Sequence, residues 1–388
     1  MNPQLTAMDQ AHLQRALELA DRGRGRVSPN PLVGVVLVRG GEVIGEGFHA
    51  ELGGLHAERA ALEDCRSRGG DPAGATMYVT LEPCAHQGRQ PPCVEAILEA
   101  GIGRVVIASD DPSEKAAGRG PGILRDGGVE VAFASGAEAT AARRLNQPFR
   151  KHARTDLPLV VFKMAMSLDG QTTTALGESP WISGPESREL VHRWRAEHDA
   201  IAVGIGTALA DDPLLTARID GARQPKRVVF DSQARLPLDS QLLSTLDQAP
   251  VLVITAPDAP TDRTTPLKEA GADVIPAPDL ELALRELGRR EVTSLFLEGG
   301  QTLASSFLSY GLIDESRTFI APMLLGHQPN SAPRAGGTVG GTMSEEALAT
   351  GRHGGSPAVT GPARLAALRS STKSVGDDTL ITATYKEW

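Results

Sequence analysis

The chain of 388 residues is 40% hydrophobic and 22% charged, and it carries a formal net charge of -9. This acidic balance argues against a nucleic-acid-binding protein, because such proteins use basic surfaces to replace the counterions on phosphates. Three cysteines in so long a chain exclude a disulfide framework, and their odd number favours a reducing compartment.

The first part of the chain predicts alternating helices and strands. A helix capped by Thr6 or Asp9 ends near Gly23, and "LVGVVLVRGGEVIGEGFH" then predicts a β-hairpin around two glycines. Helix, strand, helix, strand and strand follow in "HAERAALEDCRSRGG", "ATMYVTLEP", "CVEAILEAG", "RVVIAS" and "VEVAFAS". This alternation predicts an α/β layer domain of about 150 residues.

The polar, basic segment "NQPFRKHARTDLP" is typical of a linker. Because a single core seldom grows beyond roughly 250 to 300 residues, we expect two domains. We place them at residues 1–151 and 152–388, and the strands and helices that alternate in the second also predict an α/β fold. Residues 327–362 are rich in Gly, Pro, Ser and Thr, which predicts a flexible surface segment.

The amino-terminal region lacks the uninterrupted apolar core of a signal peptide, and no later run reaches membrane-spanning length. We therefore expect a cytoplasmic location. Small molecules are the expected partners, with neither nucleic acid nor membrane, and we expect a homo-oligomer.

Two separated segments carry residues that zinc prefers as ligands. "GGLHAER" contains His56 and Glu58 at a predicted helix start, which alone is typical of a solvated helix end. "LEPCAHQGRQPPC" adds Cys84 after a strand and Cys93 at the next helix start. One imidazole and two thiolates leave a fourth zinc position free for water, as in catalytic sites. Glu58 would then be a non-ligating group that moves a proton from water to the departing nitrogen.

The wide spacing of the cysteines points to a particular family. Together with "SPNPLVGVVLV", "GEGFH" and "LHAER", the segment "LEPCAHQGRQPPC" resembles the deaminase half of the bifunctional riboflavin-biosynthesis deaminase/reductase family. The resemblance implies a cytidine-deaminase-like three-layer α/β/α domain that holds one zinc ion. A structural zinc or a degenerate site remains the alternative.

The same resemblance implies residues that bind the deaminase substrate. They are Asn30, His49, His86, Arg89 and Asp111. An amide suits a pyrimidine edge and a guanidinium suits a phosphate. Asn30 has the alternative of a turn residue between two prolines, and His49 that of a packed histidine. Ser113 stands where the family has asparagine, which leaves the ribose contacts of its loop open.

The second domain resembles the reductase half of the same family, which implies a dihydrofolate-reductase-like α/β domain and NADPH as cofactor. The resemblance rests on Lys163, the turn Ser167–Gly170, Trp181, Arg195 and the turn Asp211–Pro213. No G-x-G-x-x-G follows the first strand of either half, so a Rossmann site is not indicated. Instead "SLFLEGGQTLASSFL" predicts a strand, two glycines and a helix that can approach a pyrophosphate.

Residue roles in this half follow from the family. The cofactor contacts implied are Ala165, Trp181, Thr207, Asp211, Ser232, Gly300, Gln301, Thr302, Leu303, Ala304, Ser305 and Ser306. The substrate contacts implied are Lys163, Ser179, Arg195, Leu215, Arg218 and Glu298. Trp181 has core packing as its alternative, and Arg195 and Arg218 have a solvated surface role. Ser232 and Arg235 are placed for the 2′-phosphate that distinguishes NADPH from NADH.

The resemblance implies a zinc-dependent hydrolytic deamination of 2,5-diamino-6-(5-phosphoribosylamino)pyrimidin-4(3H)-one. Reduction of the ribose of 5-amino-6-(5-phosphoribosylamino)uracil by NADPH would follow. Two alternatives stay open at this point. One is a deaminase of cytidine or of a tRNA adenine, and the other is a non-catalytic zinc-stabilised scaffold with a nucleotide-sensing domain.

Overall fold

The computed structural model describes residues 5–87, 90–113, 116–172, 181–326 and 364–388. The predicted flexible segment and the predicted contacts Arg89 and Ser179 lie outside these residues.

The described residues form helices and strands that alternate along most of the chain. The helices are α1 (Ala7–Asp21), α2 (Ala57–Ser67), α3 (Cys93–Glu99), α4 (Arg119–Asp126), α5 (Ala137–Leu145), α6 (Gln147–Thr155), α7 (Pro185–Glu197), α8 (Ile205–Asp211), α9 (Gln241–Ser244), α10 (Thr261–Glu269), α11 (Leu280–Arg289) and α12 (Gln301–Ser309). The strands are β1 (Gly34–Arg39), β2 (Glu42–Phe48), β3 (Thr76–Val79), β4 (Arg104–Ile107), β5 (Glu130–Phe133), β6 (Leu159–Ser167), β7 (Ala200–Gly204), β8 (Lys226–Phe230), β9 (Val251–Thr255), β10 (Asp273–Pro276), β11 (Ser294–Leu297), β12 (Glu315–Ala321), β13 (Arg369–Val375) and β14 (Asp378–Thr384).

The residues divide into two compact units. The first contains the described residues up to Leu159 together with Leu287–Thr293 and Glu387–Trp388, and the second contains Val160–Glu286 and Ser294–Lys386. The domain limits 1–151 and 152–388 stay a prediction. In the part of the chain that is described, no helix combines the length and the apolar character that crossing a membrane requires.

The first unit is a three-layer α/β/α structure, as predicted. Its sheet has the order β2-β1-β3-β4-β5, with β1 antiparallel to both neighbours and β3, β4 and β5 parallel. Alternation along β1 sends Val35 and Leu37 into the core shared with α2, α3 and α4. Val36 and Val38 point to the opposite core, shared with α1 and α5. Because β3 and β4 are parallel, their carboxyl ends lie at one edge, where the motif at Cys84 begins.

The start of α1 is fixed by a capping box. The Asp9 N–H donates to the Thr6 hydroxyl, and the Thr6 N–H donates to the Asp9 carboxylate. Asp9 also accepts from the Tyr78 hydroxyl on β3 and from Arg104 on β4, both at 2.8 Å. Burial alone would raise the pKa of Asp9, but these donors outweigh it and hold the pKa well below its usual range.

The prediction of a linker at "NQPFRKHARTDLP" is wrong. The segment forms most of α6, in which Arg150 and Lys151 are each only 2% exposed. Arg150 donates to the Ser109 hydroxyl, to the Asp110 carbonyl and carboxylate, and to the Trp388 carbonyl. Two basic side chains of the helix, Arg150 and Lys151, are thus buried, which sequence polarity could not reveal.

The second unit is built on a mixed sheet in the order β10-β9-β8-β7-β11-β6-β12-β14-β13. Strands β7 to β10 are parallel, β11 is parallel to β7, and β12 is parallel to β6 but antiparallel to β14. Two strands of this sheet were not predicted from the sequence. They are β10, which is four residues long, and β13, whose side chains are almost all exposed. Neither has the apolar run by which the other strands were found.

Candidate functional site

The candidate zinc ligands converge at the starts of two helices. His56 is the amino-terminal cap of α2, Cys93 is the first residue of α3, and Cys84 lies just beyond β3. Their ligand atoms all lie within 4.8 Å of one another. The Cys84 carbonyl accepts from the N–H groups of Cys93 and Val94, which ties the strand end to the helix start.

These atoms fit a zinc ion. His56 Nδ1 is 3.6 Å from Cys84 Sγ and 3.3 Å from Cys93 Sγ. Zn–N and Zn–S bonds of tetrahedral geometry separate nitrogen from sulfur by about 3.6 Å. The Cys93 N–H also donates to Cys84 Sγ at 3.3 Å, a contact that suits a thiolate. Three ligands leave one tetrahedral position for water, as the sequence predicts.

The two sulfurs of the candidate site differ in acidity. A hydrogen bond from the Cys93 thiol, joined by His56, lowers the pKa of Cys84 to about 4 against the effect of burial. The bond to Cys84 and burial together raise the pKa of Cys93. Glu58 is 4% exposed, and burial together with the charge of Cys84 raises the pKa of its carboxyl.

Two further side chains hold the loop between the cysteines. Arg59 Nη2 donates to the carbonyl oxygens of Pro92 at 3.1 Å and Pro91 at 3.4 Å, directly before Cys93. Gln90 Nε2 donates to the carbonyl of Gly54 at 3.1 Å. Neither was singled out from sequence, although Arg59 belongs to the quoted "LHAER" motif. Arg59 and Gln90 thus tie this loop to α2 and to the segment that precedes it.

Asn30 and His49 are joined beside the ligands. His49 Nδ1 lies 2.9 Å from the Leu55 carbonyl, which requires a proton on Nδ1 and leaves Nε2 to accept from the Asn30 amide at 3.1 Å. The rings of His49 and His56 are 5.5 Å apart. Burial lowers the pKa of His49, which keeps the imidazole neutral. His49 is therefore both packed and adjacent to the metal ligands, and Asn30 is held by it.

The remaining predicted contacts of this half differ in exposure. His86 is exposed, while Asp111 is buried. Asp111 Oδ1 accepts from the Ser113 backbone N–H at 2.8 Å, a bond that does not depend on the side chain at position 113. Arg150 fixes the neighbouring Asp110 from α6. The exchange of asparagine for serine thus leaves the turn itself intact.

In the second unit, Arg195 and Glu298 form a two-point ion pair. Arg195 Nε and Nη2 donate to the two oxygens of Glu298 at 2.7 and 3.0 Å, and Nη1 donates to the Thr216 carbonyl at 3.1 Å. Three of its five N–H groups are thereby used. Its side chain is 15% exposed, so the alternative of a solvated surface role does not describe Arg195.

Lys163 lies close to this pair. Burial lowers the pKa of Lys163, opposed by the charge of Glu298 and reinforced by that of Arg195. Burial would raise the pKa of Glu298, but the two cations outweigh it and lower the pKa. The pKa of His192 is lowered by burial and by the charges of Arg195 and Arg218. One carboxylate therefore faces several basic groups, an arrangement that suits an anionic ligand.

The predicted glycine turn is confirmed between β11 and α12. Gly300 caps α12, whose first turn has no side-chain cap among the described residues. The Gly300 N–H donates to the Thr207 hydroxyl at 3.2 Å. A Cβ on Gly299 would lie 3.0 Å from the end of the Leu303 side chain. The open amino end of a nine-residue helix fits a pyrophosphate.

The other predicted cofactor contacts lie at the surface or around this turn. Trp181 is 57% exposed and lies under the Arg188 guanidinium, so the core-packing alternative is wrong. Asp211 ends α8, Ser232 is exposed after β8, and Ala165 lies on β6. The first two turns of α12 hold Gln301, Thr302, Leu303, Ala304, Ser305 and Ser306. These residues lie on several helices, strands and loops. Their assignment as one set of cofactor contacts comes from the family resemblance alone.

Comparison with known proteins agrees with both halves. Residues 6–109 match the cytidine and deoxycytidylate deaminase zinc-binding region, and residues 158–343 match the RibD C-terminal domain. The riboflavin biosynthesis protein RibD of Actinobacillus pleuropneumoniae is 41% identical over 337 residues, covering 85% of this chain and 88% of that protein. The Escherichia coli protein is 40% identical over 335 residues, covering 82% and 89%.

Solved structures of the same kind cover nearly the whole chain. An Acinetobacter baumannii RibD structure is 35% identical with a TM-score of 0.81, covering 98% of this chain and 99% of that one. A Thermotoga maritima deaminase/reductase is 32% identical with a TM-score of 0.79 and the same coverage. Zinc and NADPH are the cofactors that these domains use. The chain belongs to the RibD family of bifunctional riboflavin-biosynthesis enzymes, which join a deaminase to a reductase.

Proposed function

We propose that the first domain, residues 1–151, removes an amino group as ammonia from 2,5-diamino-6-(5-phosphoribosylamino)pyrimidin-4(3H)-one. The second domain, residues 152–388, then uses NADPH to reduce the ribose of 5-amino-6-(5-phosphoribosylamino)uracil. The observation that supports this most is the group of ligand atoms from His56, Cys84 and Cys93 within 4.8 Å, beside the buried carboxyl of Glu58. The Thermotoga maritima structure is described by both activities.

In the deaminase, the imidazole and the two sulfurs hold the metal and Glu58 moves protons. Zinc, when bound, lowers the pKa of a coordinated water and so supplies a nucleophile near neutral pH. Glu58 would take up a proton at its carboxylate and pass it to the nitrogen that leaves as ammonia. Its burial in the first turn of α2 excludes bulk water from this transfer.

The substrate is oriented by groups that converge on the ligands. The Asn30 amide, held by His49, hydrogen-bonds the edge of the pyrimidine. Asp111, which is buried, contacts the ribose, and His86 and Arg89 bind the phosphate. Because the Asp111 turn is closed by the backbone of Ser113, the turn keeps its shape without the family asparagine.

In the reductase, NADPH supplies the hydride and this chain aligns the sugar with it. The open amino end of α12, with Gly300 and Thr207, receives the pyrophosphate. Glu298, fixed by Arg195, and Lys163 contact the ribose, while Arg218 binds the substrate phosphate. Ser232 and Arg235 recognise the 2′-phosphate, so NADPH is bound in preference to NADH.

The deaminase proposal is tested by Glu58→Gln in the full chain. The amide keeps the size and buried position of the side chain but cannot carry the proton. Deamination, measured as ammonia release, is expected to fall about 10³-fold. Zinc content and the reduction of supplied 5-amino-6-(5-phosphoribosylamino)uracil by NADPH are expected to stay unchanged.

Glu63→Gln on the exposed face of the same helix is the matched control and is expected to keep full activity. Retained ammonia release in Glu58→Gln would contradict the proton-transfer role. Ammonia release from cytidine or tRNA, with none from the diaminopyrimidine, would contradict the proposed substrate. We place the reactions in the cytoplasm and propose a homo-oligomer, which sedimentation of the purified chain would measure.

A further inference from the structure

The segment Leu215–Arg218 runs beside the Arg195–Glu298 pair in an unusual backbone conformation. Leu215 has a φ of 53°, in the left-handed region that a leucine rarely adopts, and its side chain is 3% exposed. Thr216 and Ala217 are also buried, whereas Arg218 is exposed. A strained, buried segment of this kind persists only when neighbouring groups hold it.

Gln224 supplies two such contacts. Its Oε1 accepts from the Ala217 N–H at 2.9 Å, and its Nε2 donates to the Ala217 carbonyl, also at 2.9 Å. The side-chain amide thereby satisfies both backbone groups of one buried residue, as a neighbouring strand would. Without it, a donor and an acceptor would be left without a partner inside the protein.

Two side chains of α7 hold the residues on either side. Arg195 Nη1 donates to the Thr216 carbonyl at 3.1 Å. The Arg218 N–H donates to His192 Nδ1 at 3.4 Å, and a nitrogen that accepts this bond has no proton to donate to the Thr216 carbonyl, 3.3 Å away. Gln224, Arg195 and His192 therefore act together on the backbone of three consecutive residues.

We infer that Gln224 is a positioning residue of the reductase, which fixes Leu215–Arg218 so that the Arg218 guanidinium meets the phosphate of the substrate. The inference rests on the proposed role of Leu215 and Arg218 as substrate contacts. Gln224 itself touches no substrate atom in this view, because both ends of its amide bind the backbone of Ala217. Its loss weakens binding of the uracil substrate and leaves the deaminase chemistry and the binding of NADPH unchanged.

The experiment compares variants of the full chain in NADPH oxidation with 5-amino-6-(5-phosphoribosylamino)uracil as substrate. Gln224→Met keeps the length and volume of the side chain but removes both hydrogen bonds. We expect its KM for the uracil substrate to rise about tenfold, because the segment that carries Arg218 is no longer held in place. Its KM for NADPH and its ammonia release are expected to stay within about twofold of wild type.

Gln224→Glu adds a second readout. It keeps the acceptor for the Ala217 N–H but directs a carboxylate oxygen at the Ala217 carbonyl, where the amide donates at 2.9 Å. We expect its KM for the uracil substrate to exceed that of Gln224→Met, because two acceptors repel one another. A side chain that merely fills space would give the opposite order.

Ser294→Ala is the matched control. It removes another buried side-chain bond to backbone in the same unit, the one from the Asp199 N–H at 2.9 Å, and is expected to leave both KM values unchanged. If Arg218→Ala raises the KM for the uracil substrate but Gln224→Met does not, the inference is overturned and the proposed function stands. If Gln224→Met raises it and Arg218→Ala does not, the role proposed for Arg218 fails, and the inference, which rests on that role, fails with it.

The inference would also be overturned if Gln224→Met lowered kcat, raised both KM values to the same extent and lowered the unfolding temperature. That pattern would mean a structural role without a specific effect on the substrate segment.

Discussion

Each unit buries an ion pair between an arginine and a carboxylate, and the pairs occupy different places. In the first unit, Arg104 contacts Asp9 at 2.8 Å on the face of the sheet that packs against α1, opposite the face of α2 and α3. In the second, Arg195 contacts Glu298 at 2.7 Å at the end of β11, beside Lys163. Burial of charge is therefore common to both units, but only one pair is near a candidate site.

The two ion pairs differ in how many of their hydrogen-bond donors and acceptors have partners within the protein. Both oxygens of Asp9 accept bonds from Thr6, Tyr78 and Arg104, so the network is closed to a ligand. Arg195 keeps two N–H groups for other acceptors, and Lys163 has no hydrogen-bond partner in the described ranges. A buried charge indicates a functional site when some of its bonding capacity is left over.

The largest difference between the two units is expected when a zinc ligand is removed. His56→Ala removes one ligand of a site that needs all three, so zinc content is expected to fall from about one per chain to near zero, and deamination to be lost. Reduction of supplied uracil substrate is expected to continue. Metal analysis and the two separate assays measure this. His12→Ala, which alters a histidine packed on Tyr78 away from the site, is the control. Loss of both activities would contradict the independence of the units.

Glu298→Gln sharpens the comparison between the ion pairs. It leaves Arg195 and Lys163 without their carboxylate, so the reductase is expected to lose about 10²-fold in kcat/KM. The same change is expected to lower the free energy of unfolding by about 3 kcal/mol, because an unpaired charge stays buried. NADPH oxidation and thermal unfolding measure the two effects. Full reductase activity together with the lowered free energy of unfolding would show that the pair serves the fold alone.

Sequence reasoning located the metal ligands because they lie in short motifs at the ends of predicted elements. His56 begins α2 and Cys93 begins α3, and a one-residue error in either boundary would not have hidden them. Arg195 and Glu298 are 103 residues apart, and no spacing rule brings them together. The family resemblance predicts both residues as substrate contacts, but only the folded structure shows that they bind each other.

Supporting residues were harder to predict. Gln224 and Arg150 act on backbone groups, and any polar residue can do so, so their type carries no signal. The segment of α6 was taken for a linker because it is polar, and polarity alone does not indicate that Arg150 and Lys151 are buried. Hydrogen bonds from side chains to the backbone therefore cannot be predicted from the sequence, because they depend on the tertiary structure.

A smaller effect is expected from the loop clamp of the first unit. Arg59→Met removes the bonds to the Pro91 and Pro92 carbonyls while keeping most of the side-chain volume. Zinc affinity, measured by competition with a chelator, is expected to weaken about tenfold, since residues behind the ligands orient them. Arg68→Met at the end of the same helix, whose partner is Asp64, is the control. Unchanged affinity in Arg59→Met would show that the cysteines alone fix the loop.

The smallest effect on activity is expected at the other ion pair. Asp9→Asn removes a carboxylate that accepts four bonds and is expected to lower the free energy of unfolding by about 2 kcal/mol, with zinc content and ammonia release of the folded enzyme unchanged. Glu298→Gln, in contrast, affects both stability and turnover. Loss of ammonia release from folded, zinc-loaded Asp9→Asn would contradict this contrast.

The stability difference between wild type and Asp9→Asn is expected to depend on pH. The pKa of Asp9 is lowered in the folded state, so the unfolded chain binds a proton at a higher pH than the native chain does. The stability difference between wild type and Asp9→Asn is therefore complete above the unfolded-state pKa of about 4. It decreases as the pH falls toward the folded-state pKa, where the native carboxylate is protonated too. Denaturant titrations between neutral and acidic pH measure this difference. Asp21→Asn, at an exposed carboxylate of the same helix, is expected to show almost none.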